Sequence, residues 1–135
     1  MDIIELSREI GREIQKDKRY LDLKIAKKNS DEDKVLQDMI GEFNLKRIQI
    51  TNEAQKEDKS EAKIEELNKE LRECYSNIMQ NDNMIFYNAA KEEVDKLLKR
   101  ITAIIYQSAD GQDPETTDLN ESNCSGSCSS CSGCH

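Results

Sequence analysis

Apolar residues recur along most of the chain at alternating steps of three and four positions. That spacing places them on one face of an α-helix, and its average of 3.5 residues is the coiled-coil period. Short polar stretches interrupt the pattern, so it predicts several consecutive amphipathic helices. Because the connections are short, we expect neighbouring helices to lie nearly antiparallel.

The limits of each helix follow from where its apolar stripe begins and stops. Residues 3 to 14 predict a short first helix, and "DKRYLDLKIAKKN" predicts a second. Ser30 or Asp31 is predicted to cap a long third helix, since either side chain can accept from the amides of a first turn. "QKEDKSE" breaks the pattern, and "QNDN" offers a stop and a new cap before the last helix. The three long stripes are Leu36, Ile40, Phe43, Arg47, Ile50 and Ala54, then Ile64, Leu67, Leu71, Cys74 and Ile78, and finally Tyr87, Ala90, Val94, Leu97, Ile101 and Ile104.

Composition supports an all-α fold. The chain is 36% charged and 4% aromatic, with no Trp and one Pro, which is typical of long solvated helices. No Lys or Arg follows residue 107, whereas five acids do. We therefore predict an antiparallel helical hairpin or bundle of about five helices with coiled-coil-like long helices and a disordered C-terminal tail. The predicted domains are a helical bundle over 1–107, an acidic flexible linker over 108–123 and a cysteine-rich tail over 124–135.

The apolar stripes exceed what one small core can cover, so we expect a homo-oligomer, most simply a dimer, or association with a related partner. A net charge of −8 argues against direct nucleic-acid binding. No apolar run reaches the roughly 20 residues of a membrane span. The N-terminus lacks the pattern of a signal peptide, which predicts a cytoplasmic protein.

Catalytic chemistry is hard to place in this sequence. The only histidine is His135, which excludes Ser-His and Cys-His arrangements inside the fold. There is no Gly-rich phosphate loop, so we expect neither enzymatic activity nor a small-molecule substrate. Cys74 lies on an apolar stripe and is interpreted as a small hydrophobe, in preference to a ligand or redox group. Arg47 either packs the aliphatic part of its side chain against the stripe, with its guanidinium in solvent, or forms an ion pair with an acid on a partner protein. The basic clusters "KDKR" and "KLLKR" are interpreted as solvated helix faces in preference to RNA contacts.

The last residues, "NCSGSCSSCSGCH", hold four of the five cysteines. Cys124, Cys128, Cys131 and Cys134 read C-x3-C-x2-C-x2-C, a spacing that lets successive thiolates reach one centre. The surrounding Ser and Gly residues let the backbone turn around it. Four thiolates suit either zinc or a [4Fe–4S] cluster. Structural zinc joins two C-x2-C pairs a dozen or more residues apart, so the compact spacing favours iron–sulfur, with zinc or adventitious metal affinity as alternatives.

Taken together, "SDEDKVLQDMIGEFNLKRIQI", "NDNMIFYNAAKEEVDKLLKRITAII" and the Gly/Ser/Cys tail resemble the YlbF/YmcA family of bacterial cytosolic proteins. The resemblance implies a non-enzymatic helical accessory protein that associates with YmcA-like and YaaT-like partners. It also implies an assembly that carries iron–sulfur clusters and modulates RNase Y-dependent mRNA processing, and thereby competence, biofilm formation and sporulation. By position, the cluster ligands are Cys124, Cys128, Cys131 and Cys134.

The leading hypothesis is accordingly a cytoplasmic adaptor whose tail contributes thiolates to an oxygen-sensitive cluster. Two other hypotheses stay open at this point. One is a small zinc- or metal-handling protein that uses the tail as a donor or storage site. The other is a structural coiled-coil protein with an inert tail.

Overall fold

The computed structural model describes residues 2–120. Within them the chain forms five α-helices and no strand, which confirms the all-α prediction. The helices are α1 (Ile3–Ile14), α2 (Lys18–Glu32), α3 (Lys34–Ala54), α4 (Glu61–Gln80) and α5 (Asp82–Ala109). Contacts divide the chain into two parts between Glu92 and Glu93.

Side-chain caps stand at the start of α2, α3 and α4. Asp17 accepts from the Arg19 amide at the start of α2, and Ser60 accepts from the Lys63 amide at the start of α4. Asp33 accepts from the Leu36 amide at the start of α3. Each carboxylate or hydroxyl satisfies an amide that has no partner within its own helix. Asp17 is also bound by the Arg19 guanidinium, and this hydrogen bond, followed by that to the Arg19 amide, lowers its pKa to about 2.

The prediction that Ser30 or Asp31 caps the third helix was wrong. Both residues belong to α2, which runs to Glu32, and the break consists of Asp33 alone. Ser30 is buried and donates its hydroxyl to the Asn83 carbonyl, 3.1 Å away. The break between α2 and α3 lies later than the sequence pattern predicted. The reason is that the Asp33 carboxylate is held by the side chains of Asn81 and Asn83 as well as by the Leu36 backbone amide.

Helices α3 and α4 form the predicted antiparallel hairpin. The Cys74 thiol donates to the Met39 carbonyl at 3.3 Å, and farther along the pair the Lys46 ammonium lies 2.9 Å from Glu70. Residue numbers therefore rise on one helix as they fall on the other. Phe43 contacts Tyr75, with ring centroids 6.1 Å apart. The break that was predicted at "QKEDKSE" is the loop from Gln55 to Ser60.

Few apolar side chains are buried within residues 2–92: Ala26, Leu36, Leu67 and Ile78. Leu36 has no exposed surface, and its helix, α3, contacts both α2 and α4. In contrast, many large apolar side chains of this part remain exposed, which leaves the small core that the sequence pattern predicted.

The last turn of α3 differs from the predicted stripe. Ala54 is exposed, and the preceding Glu53 is buried in its place, with 6% of its side chain exposed. The Glu53 carboxylate accepts from the Ser60 amide at 3.1 Å and pairs with Lys56 at 2.9 Å. The Lys56 hydrogen bond is the main cause of a lowered Glu53 pKa. A buried charge is tolerated here because its oxygens are satisfied by these donors.

Residues 93–120 comprise the C-terminal part of α5 and a segment that turns back along it. Gly111, at φ 95°, ends the helix, and the Gln112 amide donates to the Gln107 carbonyl at 3.0 Å in a Schellman arrangement. Farther on, Arg100 binds both carboxylate oxygens of Asp118 at 2.9 and 2.7 Å. These contacts belong to the described part of the predicted linker 108–123, and the limits of the three predicted domains stay predictions.

Candidate functional site

The predicted cluster ligands lie outside the described residues. Cys124, Cys128, Cys131, Cys134 and His135 all follow Asn120, so their ligand role stays a prediction. Within residues 2–120, no three His, Cys, Asp or Glu side chains come close enough together to hold a metal ion.

Cys74, the remaining cysteine, lies between α3 and α4. It is half-buried, and its thiol donates to the Met39 carbonyl. The position thus agrees with the predicted place on the α4 stripe, although the side chain is less covered than a core hydrophobe. One side of Cys74 faces a groove with a volume of about 490 Å³ that runs between the two helices.

This α3–α4 groove has an apolar floor and acidic rims. Val35, Met39 and Cys74 line it from both helices, and Val35 is 66% exposed. The acidic lining residues are Asp38 and Glu42 on α3 and Glu70 and Glu73 on α4. Lys46 is the one base that lines the groove; its hydrogen bond to Glu70 is the main cause of its raised pKa. The groove therefore presents a negative potential around an exposed apolar strip.

Helix α1 presents a second exposed surface. Ile3, Leu6 and Ile10 lie along one face and are 76%, 47% and 38% exposed, and no α1 residue is buried. The Arg12 guanidinium binds Glu5 and Glu9 on the opposite side of the helix, which raises the Arg12 pKa. An isolated helix of this length is marginal in water. The apolar face of α1 is therefore well placed to be covered by another protein.

The two basic clusters are engaged by neighbouring acids. Lys18 lies 2.7 Å from Asp22, and Arg19 is bound to Asp17. In the second cluster, Arg100 binds Asp118. This pairing agrees with their interpretation as solvated helix faces.

Arg47, for which two roles were open, is exposed. Its guanidinium carbon lies 6.0 Å from the centroid of the Phe43 ring, on the same helix, within the range of a cation–π contact. The guanidinium thus lies near the Phe43 ring on its own helix, and both interpretations of Arg47 stay predictions.

Sequence reasoning missed the groove and the acids around it. The acids of α3 and α4 look like ordinary solvent-facing charges in the sequence, and their common position depends on the register between the two helices. The Met39–Cys74 contact sets that register. The i, i+4 spacing of Asp38 and Glu42 was the available signal, but it identifies only one rim.

Comparison with known proteins gives one family match. The family described as "Control of competence regulator ComK, YlbF/YmcA" matches residues 3–109, which includes all five helices. No curated protein and no solved structure matches the chain. None of the helices in residues 2–120 combines the length and the apolar character that crossing a bilayer requires. The family match extends over most of the sequence, and the chain therefore belongs to the YlbF/YmcA family, a regulatory family concerned with control of the competence regulator ComK.

Proposed function

We propose that this protein is a non-enzymatic regulatory adaptor that assembles with other subunits through its exposed apolar helix faces. Its cysteine-rich tail contributes thiolates to an iron–sulfur centre of the assembly. The observation that carries the first part is the family match over residues 3–109. That match concerns control of a competence regulator, and such control by a protein of this kind acts through protein partners.

The exposed faces support the adaptor role. The apolar side chains of α1 and the groove between α3 and α4 leave large hydrophobic surfaces uncovered in the single chain. Removal of apolar area from water is favourable by about 25 cal/mol per Å², before the entropic cost of association is subtracted. The partners we propose are a second copy, or YmcA-like and YaaT-like proteins, in a cytoplasmic complex that modulates RNase Y-dependent mRNA processing. Competence, sporulation and biofilm formation would respond through that step.

The tail supports the metal centre by its donor chemistry. Cys124, Cys128, Cys131 and Cys134 supply four thiolates within eleven residues. Such a set fits a [4Fe–4S] cluster, which thiolates hold and which oxygen attacks. When bound, the cluster would supply a redox- and iron-dependent link between the tail and its partners. The chain's own contribution is to hold that centre and to present the helical body to the other subunits.

The direct test of the metal centre is co-purification of the complex from the native host under nitrogen, with assays for iron and acid-labile sulfide. We expect stoichiometric iron and sulfide in the wild-type complex and their loss in the double variant Cys128→Ser, Cys131→Ser. Cys74→Ser is the matched control, because its hydroxyl can keep the hydrogen bond to Met39. An iron-free wild-type complex would contradict the cluster, and stoichiometric zinc without sulfide would indicate a metal-handling protein.

The adaptor role has an independent test in α1. Ile10→Glu places a charge on the exposed apolar face, and Arg8→Glu places one on the polar side of the same helix. We expect Ile10→Glu to release partner subunits during co-purification while Arg8→Glu retains them. Retention of every partner by Ile10→Glu would exclude this face as the interface.

A further inference from the structure

We propose that the α3–α4 groove binds an amphipathic α-helix of a partner protein that carries lysines or arginines on both sides of its apolar face. Leucine-like side chains would cover Val35, Met39 and Cys74, and the basic side chains would lie over the acidic rims. This inference concerns residues of α3 and α4, and it does not depend on the metal centre.

The form of the groove suits a helix. Its lining residues recur at steps of three and four on two antiparallel helices, so the floor is a strip parallel to both axes. A helix in such a groove inserts residues at i, i+3 or i+4, and i+7.

Part of the apolar floor is open for a partner to cover. Val35 is 66% exposed, whereas the next residue, Leu36, about 100° farther around α3, is completely buried. Leu36 already fills the core position of this turn. Among residues 2–92 most of the Val35 side chain is left uncovered, so a partner would add apolar burial there.

Charge selects the chemistry of that partner. Asp38 and Glu42 lie on one rim and Glu70 and Glu73 on the other, and the lysine among the lining residues, Lys46, is paired with Glu70. The rims thus attract a basic helix and repel nucleic acid and anionic lipid, which carry the same sign of charge.

The same argument disfavours α1 of a second copy as the occupant. Helix α1 carries Glu5, Glu9 and Glu13 against Arg8 and Arg12, so it brings no net positive charge to the acidic rims. Like charges brought together at an interface weaken binding. A basic helix from another protein is the occupant that matches both the floor and the rims.

The test uses the full-length chain with Cys124, Cys128, Cys131 and Cys134 replaced by Ser, so that Cys74 is the single thiol. The probes are two fluorescent 18-residue helical peptides with leucines at i, i+4, i+7 and i+11 and with either lysine or glutamate on both flanks. In low-salt fluorescence anisotropy we expect the lysine peptide to bind and the glutamate peptide not to bind.

Charge reversal then locates the site. Asp38→Lys with Glu73→Lys should weaken binding of the lysine peptide by about tenfold or more. Glu57→Lys with Glu65→Lys is the matched control, because both residues are exposed and neither lines the groove, and its affinity should stay within about threefold of the parent. Circular dichroism checks that all variants remain helical. Equal binding by the two double variants would overturn the proposal.

Alkylation of Cys74 by a maleimide provides the second measurement. The lysine peptide should slow the reaction, and Val35→Asp should remove that protection. Protection that increases with protein concentration in the absence of peptide would show that a second copy occupies the groove, and would overturn the proposal of a basic partner helix. Because the tail cysteines are absent, either result is independent of whether the native complex contains iron.

Discussion

The Asp33 carboxylate accepts a hydrogen bond of 2.9 Å from the side-chain amide of Asn83, fifty residues later in the chain. The same oxygen accepts from the side-chain amide of Asn81 at 3.1 Å. The other oxygen caps α3 by accepting from the backbone amide of Leu36. The Asn81 side chain in turn caps α5 by accepting from the Met84 amide at 3.0 Å. One carboxylate therefore joins the α2–α3 junction to the α4–α5 junction.

Replacement of Asp33 should loosen both junctions. Asp33→Ala removes the α3 cap and leaves the two asparagine amides without their acceptor, so we expect the Tm to fall by several degrees. Asp33→Asn keeps an oxygen for the Leu36 amide but turns a donor toward Asn81, and its Tm should lie between those of Asp33→Ala and the wild type. Thermal unfolding followed by circular dichroism measures this order. Asp31→Ala is the control, since Asp31 is exposed and pairs only locally with Lys27, and a drop as large as that of Asp33→Ala would contradict the assignment.

Stability should also fall in acid because of Asp33. Its pKa lies below the ordinary 3.8, mainly through the Leu36 amide and then through Asn83 and Asn81. A carboxyl whose folded pKa is depressed stabilises the fold fully above its unfolded pKa, and this contribution is lost as the pH falls through the folded value. The difference in unfolding free energy between the wild type and Asp33→Asn should therefore be constant near neutral pH and shrink below about pH 4. Urea titrations from pH 7 to pH 3 measure it, and a difference that does not change with pH would refute the linkage.

Two adjacent residues of α3 should differ sharply in their contribution to stability. Leu36 is completely buried, so Leu36→Ala should lower the free energy of unfolding by about 3 kcal/mol through lost apolar contact and the cavity left behind. Val35→Ala removes a side chain that is 66% exposed and should cost less than about 0.5 kcal/mol. Chemical denaturation of both variants makes the comparison. Similar losses for the two would indicate that the core of this helix is placed incorrectly.

The segment after α5 should depend on the Arg100–Asp118 pair. Arg100 binds both oxygens of Asp118 and is the main cause of its lowered pKa. Asp118→Asn should accelerate hydrogen exchange at the amides of Gln112 and Thr117, which donate to Gln107 and Asp113. The Tm should change little, because exposed ion pairs contribute little to global stability. Asp110→Asn is the control from the same segment, and equal acceleration by both variants would rule out a specific role for Asp118.

The helical pattern predicted most of the fold, but it did not predict every helix end or buried residue. From the local sequence alone, Ser30 and Asp31 are as good caps as Asp33. The choice among them depends on Asn81 and Asn83, which follow the C-terminal end of α4. Glu53 replaces Ala54 at the buried position because Ser60 and Lys56 satisfy its carboxylate. Both outcomes depend on partners that a sequence window does not contain.

The amino-acid sequence by itself determined that residues 2–120 fold into five helices, where most of their apolar faces lie, and that four thiols are concentrated after residue 123. These features follow from local periodicity and residue chemistry, which need no knowledge of the register between helices. Only the tertiary structure decided which acids line the groove beside Cys74 and which carboxylates are held within the fold. The reason is physical: helix propensity and periodicity act over one or two turns, whereas the surroundings of a charge depend on which residue of a neighbouring helix lies opposite.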